Sequence, residues 1–235
     1  MSTPSCIPKK KVKRVRLFGL DACGRLQITG NTVLDWDGFN EIRYQNLIDD
    51  GQDETITNVF GETCIDDQAC PVDRGVALTF TECKDNFAFS ALTGHGSLVL
   101  DVATVVGFNR SKMSACNSLA VEILFEVPSV CDATGNPQCL AMLIPSAKLW
   151  KDVNERLIDG KTTLRGSYTA RAQLNARLFE TTDDEPPEEL AYWLPWVNDI
   201  AAGTNWYLQR IVDCPDLDST ISCELRPLVV GAGGG

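Results

Sequence analysis

A single histidine, His95, is all the imidazole that the 235 residues contain. Histidine is the usual acid, base and metal ligand at neutral pH, so its scarcity restricts proton-transfer and metal chemistry. A cysteine nucleophile would have this one partner and no other. His95 lies near Ser97 in Gly94-His95-Gly96-Ser97. Triads assemble from distant positions, however, and a histidine just after a helix-ending glycine reads as a loop residue. The chain has no GxSxG elbow, phosphate-binding glycine loop or dinucleotide fingerprint. It has no CxxC, so the spacing gives no zinc site. The neighbouring carboxylates Asp183 and Asp184 stand in a proline-bearing connector without an apolar pocket to tune them. The expectation is a non-enzyme with no cofactor and no metal. No window approaches the ~20 apolar residues of a membrane helix. The basic N-terminal residues are followed by no apolar run of the kind an export signal needs. A cytoplasmic chain without a membrane partner is expected.

What is present is acidic charge, cysteine and alternation. The formal net charge is −11. Lys9, Lys10, Lys11, Lys13, Arg14 and Arg16 all precede the first acid, Asp21, leaving 15 of the 21 basic residues against all 32 acids, a net of −17. A basic arm therefore leads a strongly acidic body, and an acidic body repels nucleic acid. The cysteines number 10. They fit reduced, buried thiols or bridges that form once the protein has left the cell. Cys64 with Cys70, Cys131 with Cys139 and Cys214 with Cys223 are the close pairs, each bracketing a loop, and the spacing leaves connectivity open.

The longest signal is the run from Leu164 to Leu178. Leu164, Gly166, Tyr168, Ala170, Ala172, Leu174, Ala176 and Leu178 are apolar or small, and every residue between them is polar. Period two predicts one long strand with a buried and a wet face, the wet one carrying Arg165, Arg171 and Arg177. Such a strand requires partners along its length, in a large sheet or on another chain.

Further strands are predicted at Val12 to Leu17, Thr32 to Leu34, Phe39 to Asn46, Thr55 to Val59, Val76 to Cys83, Leu98 to Phe108, Leu119 to Val127 and Asn205 to Asp213, and Leu140 to Ile144 reads as apolar and buried. Phe39 to Val59 reads as a long hairpin around an acidic tip, with Glu41, Asp49, Asp50, Asp53 and Glu54 along it. The stretch from Asp85 or Asn86, which can cap, to Gly94, which can end, predicts the clearest helix. Gly61 to Pro71 and Pro128 to Gln138 read as loops, and Ala147 to Leu157 is ambiguous. Tyr192, Trp193 and Trp196 form an aromatic cluster that reads as core or contact surface, with core favoured. The fold class is all-β, α+β at most: a β-sandwich or barrel with long hairpins and one short helix. The divisions expected are a basic arm at 1–13, a single β domain at 14–213 and a C-terminal tail at 214–235.

The ordered set of cysteine-marked turns resembles the major tail (tail tube) proteins of long-tailed, siphovirus-type bacteriophages of actinobacteria. The residues that carry it are Leu20-Asp-Ala-Cys-Gly24, Gly61-Glu-Thr-Cys64 with Ala69-Cys-Pro71, and Thr79-Phe-Thr-Glu-Cys83 running into Ala91-Leu-Thr-Gly94. Cys116 before Ala120-Val-Glu-Ile, the loop ending at Cys139 and the long alternating strand add to it. The resemblance implies a structural virion protein with a tail-tube-like fold. Six copies would form a ring, and stacked rings a conduit for genome DNA, which passes without specific binding. Its partners would be further copies and the tape-measure, distal-tail and terminator proteins; assembly would take place in the host cytoplasm. Within that scheme, Glu41, Asp49, Asp50, Asp53 and Glu54 are expected near the lumen. Arg165, Arg171, Arg177, Lys9, Lys10 and Lys11 are expected between subunits, and both terminal segments against the adjacent ring. The competing expectation is a disulfide-stabilised β-sandwich binding module of a virion or cell surface, supported by Tyr192, Trp193 and Trp196.

Overall fold

Alternating apolar residues make strands of most of the described chain. A computed structural model describes residues 11–27, 31–36, 39–49, 54–57, 63–67, 71–82, 86–101, 104–110, 117–131, 137–152, 167–180, 190, 193, 197–214 and 225–227. The strands are β1 (Lys11–Gly19), β2 (Asn31–Trp36), β3 (Phe39–Asp49), β4 (Glu54–Thr57), β5 (Thr63–Asp67), β6 (Val72–Glu82), β7 (Gly96–Asp101), β8 (Thr104–Arg110), β9 (Ser118–Cys131), β10 (Pro137–Asp152), β11 (Ser167–Ala172), β12 (Leu208–Asp213) and β13 (Leu225–Pro227). Two one-turn helices accompany them, α1 (Phe87–Leu92) and α2 (Val197–Ala201). The fold is all-β, and every pairing among the described strands is antiparallel.

The main sheet runs β13-β2-β1-β9-β10-β11-β6-β3. It forks at β10. Gln138 to Leu143 pair with β12, whereas Ala147 to Asp152 pair with β11. A register irregularity between Ile144 and Ala147 lies at the fork, next to Pro145, which has no N–H to give a ladder. The central strands are buried on both faces. On one, Val15, Leu17, Leu34, Trp36, Val121, Ile123, Met142 and Ile144 meet Leu78, Phe80, Tyr168 and Phe89 of α1. On the other, Phe18, Val33, Ala120, Leu124, Ala141 and Leu143 meet Leu178, Leu190, Trp193, Ile200, Leu208 and Val212. The centre of the first core is aromatic: Trp36 stacks on Phe89 at 4.3 Å, and Phe89 meets Tyr168 edge-on at 4.3 Å. α1 starts as expected, with the Asn86 side chain accepting from the N–H of Phe89 at 3.1 Å, and turns out at Gly94, whose φ is +84°.

Several expectations are corrected. The run 164–178 is not one strand. Alternating burial holds over Ser167–Ala172 and then fails: Leu174 is 47% exposed and Asn175 is buried. The Asn175 amide donates to the carbonyls of Gly24 and Pro145 at 2.8 and 3.0 Å, and its oxygen accepts from the N–H of Arg177. That buried side chain ties the run to the Asp21–Gly24 turn and bends it off the sheet. Nor do 39–46 and 55–59 form a hairpin. β3 pairs with β6 from Phe39↔Glu82 to Asp49↔Val72, and β4 pairs with β5 in a small hairpin of its own between them. Leu98 to Phe108 splits into the β7–β8 hairpin, because a β-branched run conceals a turn near Asp101. β9 and β10 extend into the loop expected at 128–138, the ambiguous 147–157 is strand to Asp152, and α2 was not anticipated.

The divisions shift as well. β1 begins at Lys11, inside the arm expected to end at residue 13, and β13 belongs to the region assigned to the C-terminal tail. Cys139 is bridged to Cys214, across 75 residues of chain, so neither Cys131–Cys139 nor Cys214–Cys223 forms. Cys64, though in β5, has its expected partner Cys70 outside the described residues, as is Cys223.

Candidate functional site

Beyond the fork, β10, β11, β6 and β3 form a four-stranded sheet whose faces differ. One face carries Leu149, Ala170, Leu78 and Ile42 and packs on the first core. The other is wet. Its register gives the rows Trp150–Thr169–Thr79–Arg43 and Lys148–Arg171–Ala77–Gln45. The backbone register adds the positions Asp152, Ser167, Thr81 and Glu41 as the row at one end. Arg43, Gln45, Lys148 and Arg171 are exposed, and the threonines and Trp150 half-buried. Hydroxyl groups with two cations opposed at Lys148 and Arg171 make this face a wettable wall.

Among the described residues neither edge of this sheet is fully paired. β3 pairs on one side, with β6, and Leu149 to Asp152 of β10 extend past the last β9 pairing at Lys148. Strand direction alternates across the four strands, so β3 of one copy set beside β10 of another in the same orientation would meet it antiparallel. Open edges of this length are aggregation hazards in a monomer. Tyr44, 56% exposed, and Ile48, 59% exposed, lie along β3, with Val72, 48% exposed, at the start of β6. The β7–β8 hairpin adds Val99, Leu100, Val105 and Val106, all exposed.

No protein-family model matches the chain, and no curated protein matches it.

Three of the five acids expected near a lumen lie in described strands. Glu41 and Asp49 are at opposite ends of β3, about 26 Å apart at ~3.3 Å per residue. Asp49 accepts from Arg74 at 3.0 Å, Glu54 stands opposite Asp67 in the β4–β5 register, and Asp50 and Asp53 lie outside the described residues. Of the arginines, Arg171 is on the wet face. Arg177 pairs with Glu180 at 3.3 Å in the bent segment that follows β11. Arg165, Lys9 and Lys10 lie outside the described residues, and Lys11 opens β1 opposite Glu126.

Two interior sites escaped sequence reading. Arg14 and Arg16, counted above with the basic arm, are 7% and 6% exposed on the second face of β1. Arg16 Nε lies 3.0 Å from Asp35 and its Nη1 3.7 Å from Glu122, while Arg14 approaches the same carboxylates at 3.8 and 4.0 Å. Trp193 donates Nε1–H to Glu122 at 2.9 Å, so the expected core role holds for this member of the aromatic cluster. His95 is buried, with Nδ1 2.7 Å from the Thr93 hydroxyl and the ring edge-on to Tyr168. A groove of about 570 Å³ runs between Asp21–Gly24, Asn117, Ser118, Ser146 and Gln173–Asn175. In it, partial burial opposes ionisation of Asp21, but the Arg25 and Cys23 N–H groups and the Arg25 guanidinium outweigh that and hold its pKa below the ordinary value. Among the described residues no group of three or more His, Cys, Asp or Glu could hold a metal ion, and no helix is long and apolar enough to cross a membrane.

Proposed function

We propose that the chain is a structural subunit that polymerises through sheet edges into rings and stacked rings, as the tail tube of a long-tailed phage virion, a conduit for genome DNA. The observation that carries this reading is the four-stranded sheet with one wet face and two edges that have no full partner among the described residues. An even number of alternating strands lets identical copies in one orientation join β3 to β10 antiparallel, ring after ring position, without reversing any copy. The joint is heterologous and closes by rotation. Six copies would give 24 strands. At ~4.8 Å per strand the circumference is roughly 115 Å and the diameter about 37 Å, which strand tilt widens. The wet faces would line the channel with threonine and serine together with the cations Arg43, Lys148 and Arg171, and the exposed apolar residues at β3 and β7–β8 would be covered by neighbours. The net charge of −11 disfavours stable binding of the cargo. The sandwich binding module loses support, since Trp193 is committed to the interior.

The edge is testable directly. Lysine on an edge strand blocks pairing without disturbing the sheet behind it. Tyr44→Lys with Ile48→Lys is expected to stay folded by circular dichroism and to remain monomeric in sedimentation velocity while the parent chain polymerises. Polymerisation of the variant at the parent concentration would overturn the edge-joined ring.

A further inference from the structure

The groove of about 570 Å³ beside the Asp21–Gly24 turn is built by distant parts of the chain, and the tube reading does not use it. Asn175, itself buried, holds two of them together. Its Nδ2 donates to the Gly24 carbonyl at 2.8 Å and to the Pro145 carbonyl at 3.0 Å. One amide group thus ties the turn that carries Cys23 to the irregular stretch of β10 that carries Ser146. The N–H of Gln173 donates to the Ser146 carbonyl at 2.8 Å and fixes a third part. Within the turn, the Asp21 carboxylate accepts from the N–H groups of Cys23 and Arg25 at 2.8 and 2.9 Å. Cys23, Ser146 and Gln173 therefore stand on backbone that is bonded in place, as a binding site requires.

The side chains of these same residues line the groove with unused bonding capacity. Cys23 is an exposed, unbridged thiol. Ser146 is only 5% exposed, and its hydroxyl has no hydrogen-bond partner among the described residues. That oxygen is not sealed in; it opens on the groove. A nearly buried hydroxyl without a partner is unfavourable until a group from outside completes it. Gln173, exposed at the rim, adds a carboxamide with two donors and an acceptor and no partner among the described residues. The volume falls in the small-molecule range of ~300–1,000 Å³. Asp21 is held in its charged form at one side and the chain is −11 overall, so an anionic occupant is disfavoured.

We infer that the groove is a covalent thiol site: Cys23 takes up a small, uncharged, amide-bearing thiol compound by exchange with its disulfide, while Ser146 and Gln173 bond the amides. In this step the Cys23 thiolate attacks one sulfur of R–S–S–R. The Cys23 S–S–R bond forms as the R–S–S–R bond breaks, and the departing R–S⁻ takes the proton that Cys23 gave up. Cys23 is oxidised and the departing half is reduced, so the small disulfide is the only oxidant required. The site is complete on one subunit, and the inference does not depend on the ring.

The test follows the rate at which Cys23 of the full chain is labelled, read by mass spectrometry of its peptide. The probes are the bis-amide of N,N′-diacetylcystine, which is neutral and amide-bearing, hydroxyethyl disulfide, which is neutral without amides, and oxidised glutathione, which is amide-bearing and acidic. Each rate is divided by that of the same probe with a free cysteine peptide. The diacetylcystine amide is expected to saturate and, below saturation, to exceed hydroxyethyl disulfide about tenfold, with oxidised glutathione below it. Ser146→Ala and Gln173→Ala should each lower the diacetylcystine amide rate about threefold to tenfold. Both variants should leave the hydroxyethyl disulfide rate unchanged, which shows that the turn and the thiol are intact. Equal rates without saturation for all probes would overturn the site and leave an exposed thiol. A fall with both neutral probes would overturn the hydrogen-bonding role of the substituted residue. Labelling of other cysteines while Cys23 stays free would overturn the covalent step. Polymer formation tests the ring separately, so failure of either reading is distinguishable from failure of the other.

Discussion

Inside the second core, two arginines and two carboxylates are balanced in charge with one indole donor among them. Burying charge is costly, and removing one partner leaves another uncompensated. Glu122→Ala is expected to cost about 3–5 kcal/mol, read from urea unfolding. Trp193→Phe removes the donor to Glu122 together with part of the buried indole volume, and should cost at least the ~1–3 kcal/mol of the lost donor. A Glu122→Ala midpoint close to the parent would contradict the role given to the cluster. Sequence reading missed it for a physical reason. Val15 and Leu17 announce one face of β1, but Arg14 and Arg16 resemble a solvated arm until Asp35 and Glu122 are brought beside them from other strands. Asp21 is a smaller case with a defined sign. Its folded-state pKa is lowered from 3.8, so its charged form favours the turn above the ordinary value, and that contribution is lost as pH falls through the lowered one. Asp21→Asn should flatten this part of the acid limb of the thermal midpoint below about pH 4; an unchanged limb would show that the turn does not depend on the charge.

At the scale of elements, period two was a good guide to which residues form strands and a poor guide to where strands end or pair. Leu164 to Leu178 alternates without a break, yet Asn175 spends its amide on two buried carbonyls and folds the run away. The hairpin expected over Phe39 to Val59 does not form: β3 closes on β6, and β4, expected as its return strand, pairs with β5 instead. The cysteine spacing suggested local bridges; the sheet brings Cys139 of β10 to Cys214, just after β12. A link across 75 residues constrains the unfolded chain by up to about 4 kcal/mol. Cys139→Ser should lower stability by an amount of that order, while reductant should no longer shift the melting temperature through this bridge. An equal effect of reductant on parent and variant would place the sensitivity in other cysteines. β7 and β8 are held close at Gly96, where a Cβ would fall on the Asn109 carbonyl oxygen and the Phe108 ring. Gly96→Ala should therefore open this end of the hairpin and increase amide exchange there, without unfolding the main sheet. Unchanged protection would show that the ladder tolerates the added methyl group.

For the whole molecule, the all-β class, the capped helix and the acidic balance were legible in the residues. The candidate site was legible only in pieces. Arg171, Glu41 and Glu54 were singled out, but the row that joins Arg171 to Lys148, and the two edges not fully paired among the described residues, exist only once the strands are ordered. An assembling subunit explains together what a monomer leaves separate: an 11-residue edge strand, apolar side chains exposed along it, a hairpin apolar at its surface and a wet sheet face. The most direct test is electron microscopy of the purified chain over a range of concentrations. Rings or tubes with a central channel, whose wall resolves as β3 of one copy beside β10 of the next, are the predicted result. Tubes whose channel wall is built from another part of the fold, or a monodisperse monomer at every concentration even when seeded with tube ends, would contradict it.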